Sequence, residues 1–326
     1  MDVTRSEFQD LVGAYALDAC DPEEAAAIDA YVAEHADAAA EAERLRDVAA
    51  WLGAAGALHP PVALRDRLLA AAVLPVEPLP PADALRRETA RFELLLDSLD
   101  DHDLERPTEN GLTVRELVTH VAIVDEAFVA SADDASVFID AASVERMTHA
   151  RLPEAADWTF AQIRERTRAA RESLVALEGR PAETRVGGYA LASALVIRAF
   201  ETWTHCHDIA LATGKPEVDV EAPVMRTMAE LAVQTLPLAL AARGYSYPGR
   251  TARVVMTGPG GGDWTISCDA TEAAGAVPDV VLRVPIVEFC RRFADRLAVD
   301  DVPFEADGDT DLGRALVDAA PAFAGL

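Results

Sequence analysis

Apolar positions in the first part of the chain repeat at helical spacing. Phe8, Leu11, Val12, Tyr15 and Leu17 form one stripe. Asp21-Pro22-Glu23-Glu24 then combines an Asp cap, a Pro at the first helical position and acids in the first turn. It predicts a helix running through Ile28, Tyr31 and Val32 towards Trp51, with a break near His35. Pro60-Pro61 opens a further short helix over 62–72. Leu74 to Pro81 (LPVEPLPP) carries four prolines in eight residues and predicts a stiff, extended linker. Beyond it the period stays helical over 82–99, from 113, over 157–177, over 189–212 and over 222–242. Thr113-x-x-Glu116 is a capping box ahead of Leu117, Val118, Val121, Ile123 and Val124. Gly214 supplies the stop after the fourth of these helices. Long helices with modest loops predict an up-down bundle, with one long connection after its second helix. From 250 onward the pattern shortens. Residues 253–257 and 264–268 flank Gly258-Pro259-Gly260-Gly261-Gly262-Asp263 as a hairpin with a wide turn. A strand over 279–284, a helix over 286–298, a strand over 304–306 and a helix over 311–319 complete a small α+β unit. The glycine run lacks the Lys-Ser/Thr and the following helix of a phosphate-binding loop, so it reads as a turn. The expected fold is mainly α, in three domains. Residues 1–73 form a small helical domain, 74–81 the linker, 82–245 a four-helix bundle with one more helix, and 246–326 the α+β domain.

Charge narrows what such a chain can do. Of 326 residues, 51% are apolar and 26% charged, enough to bury real cores, but 56 acids face 29 bases for a net of −27. Affinity for phosphate backbones and anionic lipid comes largely from Lys and Arg, so direct nucleic-acid or membrane-surface binding is not expected. The acidity points to solubility or to a basic protein partner. It is concentrated at the start, where the first 50 residues hold 13 acids and 3 bases, a net of −10. No apolar run approaches the ~18 residues of a membrane span. The first residues have neither the basic nor the apolar region of a signal peptide. Cys20, Cys206, Cys268 and Cys290 are widely spaced, with no C-x-x-C, so no disulfide framework is expected. The sequence reads as a reduced, cytoplasmic protein.

The chemistry-bearing stretch is Arg198-Ala199-Phe200-Glu201-Thr202-Trp203-Thr204-His205-Cys206-His207-Asp208. Glu201 and His205 are four apart, one helical turn above one another on a common face. A carboxylate and an imidazole at that spacing can hold one divalent ion, given a third ligand from another helix. His120, flanked by Leu117, Val118 and Val121, is the candidate. A two-His, one-carboxylate set with open positions suits zinc or another first-row metal. Spacing alone leaves a second reading open, in which the Glu–His pair is incidental and His120 is a satisfied core residue. Asp208 is a candidate partner for the ligating His205 or an acid–base group, or else a helix-end surface residue. Arg198, three residues before Glu201, can meet an anionic substrate or form an ion pair. His207 points off the shared face, and Cys206 reads as packing.

Residues from about 82 to 245 resemble the metal-binding domain of mycothiol-dependent maleylpyruvate isomerases, within the DinB-like four-helix superfamily. Leu112-Thr113-Val114-Arg115-Glu116-Leu117-Val118-Thr119-His120 and Phe200–Leu211, followed by Ala212-Thr213-Gly214, carry the resemblance. The last third is similar to the small α+β domain that follows in that family. The resemblance implies metal ligands at His120, Glu201 and His205, with zinc the foremost candidate ion and mycothiol the thiol cosubstrate. It also implies an isomerase or thiol-transferase reaction on a small-molecule electrophile. Asp208 and Arg198 would stand behind the ligands in that reading. A second resemblance covers Leu11–Ala25 and Pro60–Ala71, which look like the first and last helices of the zinc-binding anti-sigma domain. The positions of that domain's zinc ligands hold Tyr31, His35 and Ala38, so its zinc motif is lost. It implies an alternative function, a soluble anti-sigma regulator that takes a sigma factor through residues 1–73 and uses the bundle as a sensor.

Overall fold

The computed structural model describes residues 3–56, 68, 72–134, 136–181, 183–217, 219–270 and 277–323. The chain divides into two compact units, residues 1–65 and 66–326.

In the first unit, α1 (Arg5–Ala16), α2 (Pro22–Glu34) and α3 (Ala36–Gly56) pack around Phe8, Val12, Tyr15, Ile28, Ala38 and Ala42. Capping boxes start two of the helices: Thr4 with Glu7 for α1, and Asp21 with Glu24 for α2. Each satisfies amide hydrogens that a helix start leaves without partners. The break expected near His35 is that residue itself, which leaves α2 in an extended conformation. Tyr31 stacks against both Phe8 and His35, and Ala38 is fully buried. Tyr31 and Ala38 are thus packing positions, while His35 is exposed against the Tyr31 ring. Leu17, counted in the apolar stripe, is exposed just past the end of α1. The helix expected over 62–72 falls almost wholly outside the described residues.

The second unit opens with β1 (Val73–Leu74), then α4 (Pro81–Asp97), the single turn α5 (Asp101–Leu104), α6 (Val114–Ala130), α7 (Ala141–Arg151) and α8 (Phe160–Val175). A two-stranded ribbon, β2 (Arg185–Val186) and β3 (Tyr189–Ala190), leads into α9 (Leu191–Thr213), followed by α10 (Ala222–Ala242). Thr113 caps α6 with Glu116 as its reciprocal partner, and Gly214 ends α9 at φ +70°, where a side chain would be strained. Helix α9 lies at the centre of the bundle. Fifteen of its 23 residues are buried, and a helix apolar on nearly every side belongs inside. The connection after α6 is not a plain loop: it contains α7.

The C-terminal part is a sheet with helices on it. β4 (Thr251–Pro259) pairs antiparallel with β5 (Gly262–Ser267) and parallel with β6 (Val280–Pro285), and β6 pairs antiparallel with β7 (Glu305–Gly308). Helices α11 (Ile286–Phe293) and α12 (Thr310–Ala319) complete it. Residues 74–81, read as a linker, are tied into this unit. β1 runs parallel to the far end of β4, with Leu74 opposite Pro259, and the Leu79 carbonyl accepts a hydrogen bond from Thr227 of α10. The glycine run packs inward as well. At Gly260, with φ +85°, a Cβ would collide with the Ala222 carbonyl at the start of α10. One apolar core is continuous from Leu85 through Phe200, Met228 and Leu236 to Val254, Leu282 and Leu316. Helix α10 is therefore shared between bundle and sheet. No helix among the described residues is long and apolar enough to cross a membrane.

Candidate metal centre

Two helices bring the predicted ligands together. α6 presents His120, and α9 presents Glu201 and His205 one turn apart. One donor atom from each lies within 4.8 Å of the other two, and among the described residues this is the cluster suited to a metal ion. The imidazoles of His120 and His205 meet edge to face at 5.4 Å between centroids.

The other ring nitrogens are fixed by partners. His205 Nδ1 lies 3.1 Å from Asp208 Oδ2, and both oxygens of Asp208 accept from Arg296, at 2.8 and 2.9 Å. His120 Nδ1 lies 2.7 Å from Thr148 Oγ1 on α7. Each histidine is therefore tethered through Nδ1 and has Nε2 available for the centre. This carboxylate–imidazole arrangement is the usual support of metal-ligating histidines. His205 Nε2 supplies the test of fit. It is buried and has no hydrogen-bond partner, although Glu201 Oε2 stands 3.1 Å away. A buried nitrogen that makes no hydrogen bond has room for a further group, and a divalent cation shared with Glu201 and His120 would fit between them.

Electrostatics agree with this reading. Burial, and next the charge on His205, pulls His120 down to about 3, so it stays neutral. Burial opposes a charge on His205, but the bond to Asp208 and the adjacent Glu201 carboxylate lift it above its ordinary value. Glu201 would be raised by burial, yet His205, Arg198 and His120 hold it below the usual carboxylate range. Burial pushes Asp208 upward too, and Arg296 and His205 overcome this and hold it well down. If a cation took the place of the proton on His205, leaving both imidazoles in the neutral form that ligates, Glu201, Asp208 and Arg296 would leave one net negative charge to balance it.

Arg198 forms an ion pair, with Asp125 and not with its helix neighbour Glu201. Its Nε donates to Asp125 Oδ1 at 2.7 Å, and Arg171 of α8 donates to Asp125 Oδ2 at 2.9 Å and to Thr202 at 2.9 Å. All three charged groups are at most 2% exposed. The cluster clamps α6, α8 and α9 directly behind the donor set, with the Arg198 guanidinium over the Phe128 ring. His207 faces away and bonds to Glu217 at 2.9 Å. Cys206 is buried, and burial pushes its thiol up to about 12.

Thr148, Arg296, Asp125 and Arg171 escaped the sequence reading. Arg296 joins from 88 residues beyond Asp208 and Thr148 from a helix with almost no apolar stripe, so no local pattern marks either. On the open side, His120, Glu201 and His205 line a cavity of about 720 Å³ together with Glu116, Thr148 and Arg296. A ligand of some size can reach the donors from there.

Residues 85–210 match the family model described as the mycothiol maleylpyruvate isomerase N-terminal domain. The span includes all three donors. Among solved structures the chain is similar to a crystal structure of the mycothiol-dependent maleylpyruvate isomerase, with 15% identity and a TM-score of 0.44. A histidine-to-alanine mutant of that enzyme gives 14% and 0.42. Each comparison covers 69% of this chain and 91% of the other. No curated protein matches the sequence significantly.

Proposed function

We propose that this chain, whose residues 85–210 match the model of the mycothiol maleylpyruvate isomerase N-terminal domain, is a divalent-metal-dependent isomerase or thiol transferase. It would act on a small electrophile with mycothiol as cosubstrate. His120, Glu201 and His205 would hold the ion, zinc or another first-row metal, both of which accept a two-imidazole, one-carboxylate set. The observation that carries this reading is the convergence of three donors, among them a buried nitrogen that makes no hydrogen bond, at the floor of an open cavity. A bound divalent ion supplies Lewis acidity that lowers the pKa of a thiol presented from the cavity.

The protein's own groups prepare that site. Asp208 and Arg296 fix the His205 ring, and Thr148 fixes the His120 ring, so both Nε2 atoms are positioned before anything binds. Asp208, held by Arg296, stays ionised and keeps the Nδ1 proton of His205 in place. The chain offers no thiol of its own beside the donors, since Cys206 faces the core. In an isomerisation the thiol sulfur adds to one carbon of a double bond, the new single bond rotates, and elimination restores both double bond and thiol. In a transfer, the sulfur stays on the electrophile and a leaving group departs with the electron pair.

The test is metal-dependent consumption of mycothiol by the full-length protein, assayed with maleylpyruvate and with a panel of electrophiles. Turnover that is lost in Glu201→Gln supports the assignment. Bound metal without turnover anywhere in the panel contradicts it.

A further inference from the structure

A second cavity adjoins the metal centre. It measures about 290 Å³, and Glu201 and Ala294 line both it and the larger polar cavity. Its remaining wall is mostly apolar, with Phe138, Tyr189, Ile197, Phe200, Leu231 and Phe293 the main contributors and Ser193 and Thr235 adding small hydroxyls. Its polar hydrogens are largely spent within the fold. Thr235 donates to the Ala232 carbonyl and Tyr189 to the Ile139 carbonyl. No Arg, Lys or His is among its lining residues. Phe138 and Leu238, which also line it, are more than half exposed, so the entrance is apolar too. An apolar cavity of about 150 Å³ already takes up benzene, so this one has room for a substituted ring.

The geometry points to this pocket as the site for the electrophile's body: an uncharged, aromatic-sized apolar group whose reacting carbon lies at the Glu201 end. The inference rests on the proposed thiol chemistry at the His120–Glu201–His205 site and narrows it. A dicarboxylate such as maleylpyruvate would bring two charges into a wall with no cation to meet them, and desolvating unpaired carboxylates is costly. The polar cavity is then left for the hydrophilic thiol, and the two reactants approach the donors from different sides.

Binding tests this without turnover. Indole, uncharged, and maleate, a dianion, are titrated calorimetrically into the full-length protein. Ile197→Trp and Thr235→Phe fill the pocket from two different helices, and zinc titration of the same variants reports on the metal centre. The inference expects saturable indole binding, no measurable maleate binding in the pocket, and about a tenfold or greater loss of indole affinity in each filled variant with zinc affinity unchanged. Absence of saturable indole binding, undiminished binding in both filled variants, or maleate displacing indole at similar concentration overturns it. Indole binding that persists where the wild-type chain fails to bind zinc would uphold the pocket and overturn the metal-based function alone.

Discussion

Cys206 directly follows a donor in the chain, yet it belongs to a core cluster with Phe92, Leu117 and Ile209. Burial lifts its thiol to about 12, lifts Cys268 to about 11 and raises Cys290 also. Thiolates are the reactive form, so these three should resist iodoacetamide at pH 8, while the half-buried Cys20 is alkylated first. Peptide mass mapping reads the outcome, and labelling of Cys206 before unfolding would contradict the packing described. It follows that the thiol of the proposed reaction comes from outside. Asp208 is the residue whose role the structure makes most specific, since it holds His205 Nδ1 and is held by Arg296. Asp208→Asn keeps the shape but loses the charge, and should weaken zinc binding about 10–100-fold, as loss of such supporting partners does. Competition with a chromophoric chelator measures this, and unchanged affinity would show that Asp208 does not support the ligand. At this scale the sequence was legible where chemistry is local. Glu201 and His205 could be paired from their spacing, and His120 was the candidate third ligand from its place among Leu117, Val118 and Val121, with the resemblance pointing to the same residue. Arg296 and Thr148 could not, because their contacts form only when distant segments meet.

Three helices meet at the buried Asp125–Arg171–Arg198 cluster, one residue from each of α6, α8 and α9. Its effect belongs to the elements, since it sets how the donor-bearing helices lie against each other. Removing the single anion leaves two guanidinium groups buried without compensation. Asp125→Leu should cost about 3–5 kcal/mol in urea unfolding, whereas replacing all three by Leu, Met and Met should recover most of that loss. A triple variant as unstable as the single one would contradict this. The helices themselves were readable from pattern and punctuation: Thr113 with Glu116 began α6, Gly214 ended α9, and the bounds of α10 agree with the expectation. Helix α7 was missed because Val144 and Thr148 are its only buried residues, too few to give a 3.6-residue period. It nonetheless brings Thr148 to His120 in the candidate metal centre.

On the scale of the whole molecule, composition and period divided the chain at about 245, while the core runs through that point. Helix α10 explains the difference. Its Val224, Met228, Leu236 and Leu240 join a core common to the bundle and the sheet, and a helix buried on two sides carries no mark of which neighbours it will have. A shared core predicts shared cooperativity. In variants retaining only Trp203, within the bundle, or only Trp264, on the sheet, urea unfolding should give coincident midpoints. Well-separated midpoints would mean that bundle and sheet fold independently. The same joining delivers Arg296 to Asp208, so the C-terminal layer helps to build the candidate metal centre. The central claim is that His120, Glu201 and His205 hold a divalent ion. It is tested most directly by elemental analysis of the purified full-length protein beside its His120→Ala/His205→Ala variant. The account predicts about one equivalent of divalent metal in the former and none in the latter; metal retained in the double variant would contradict it.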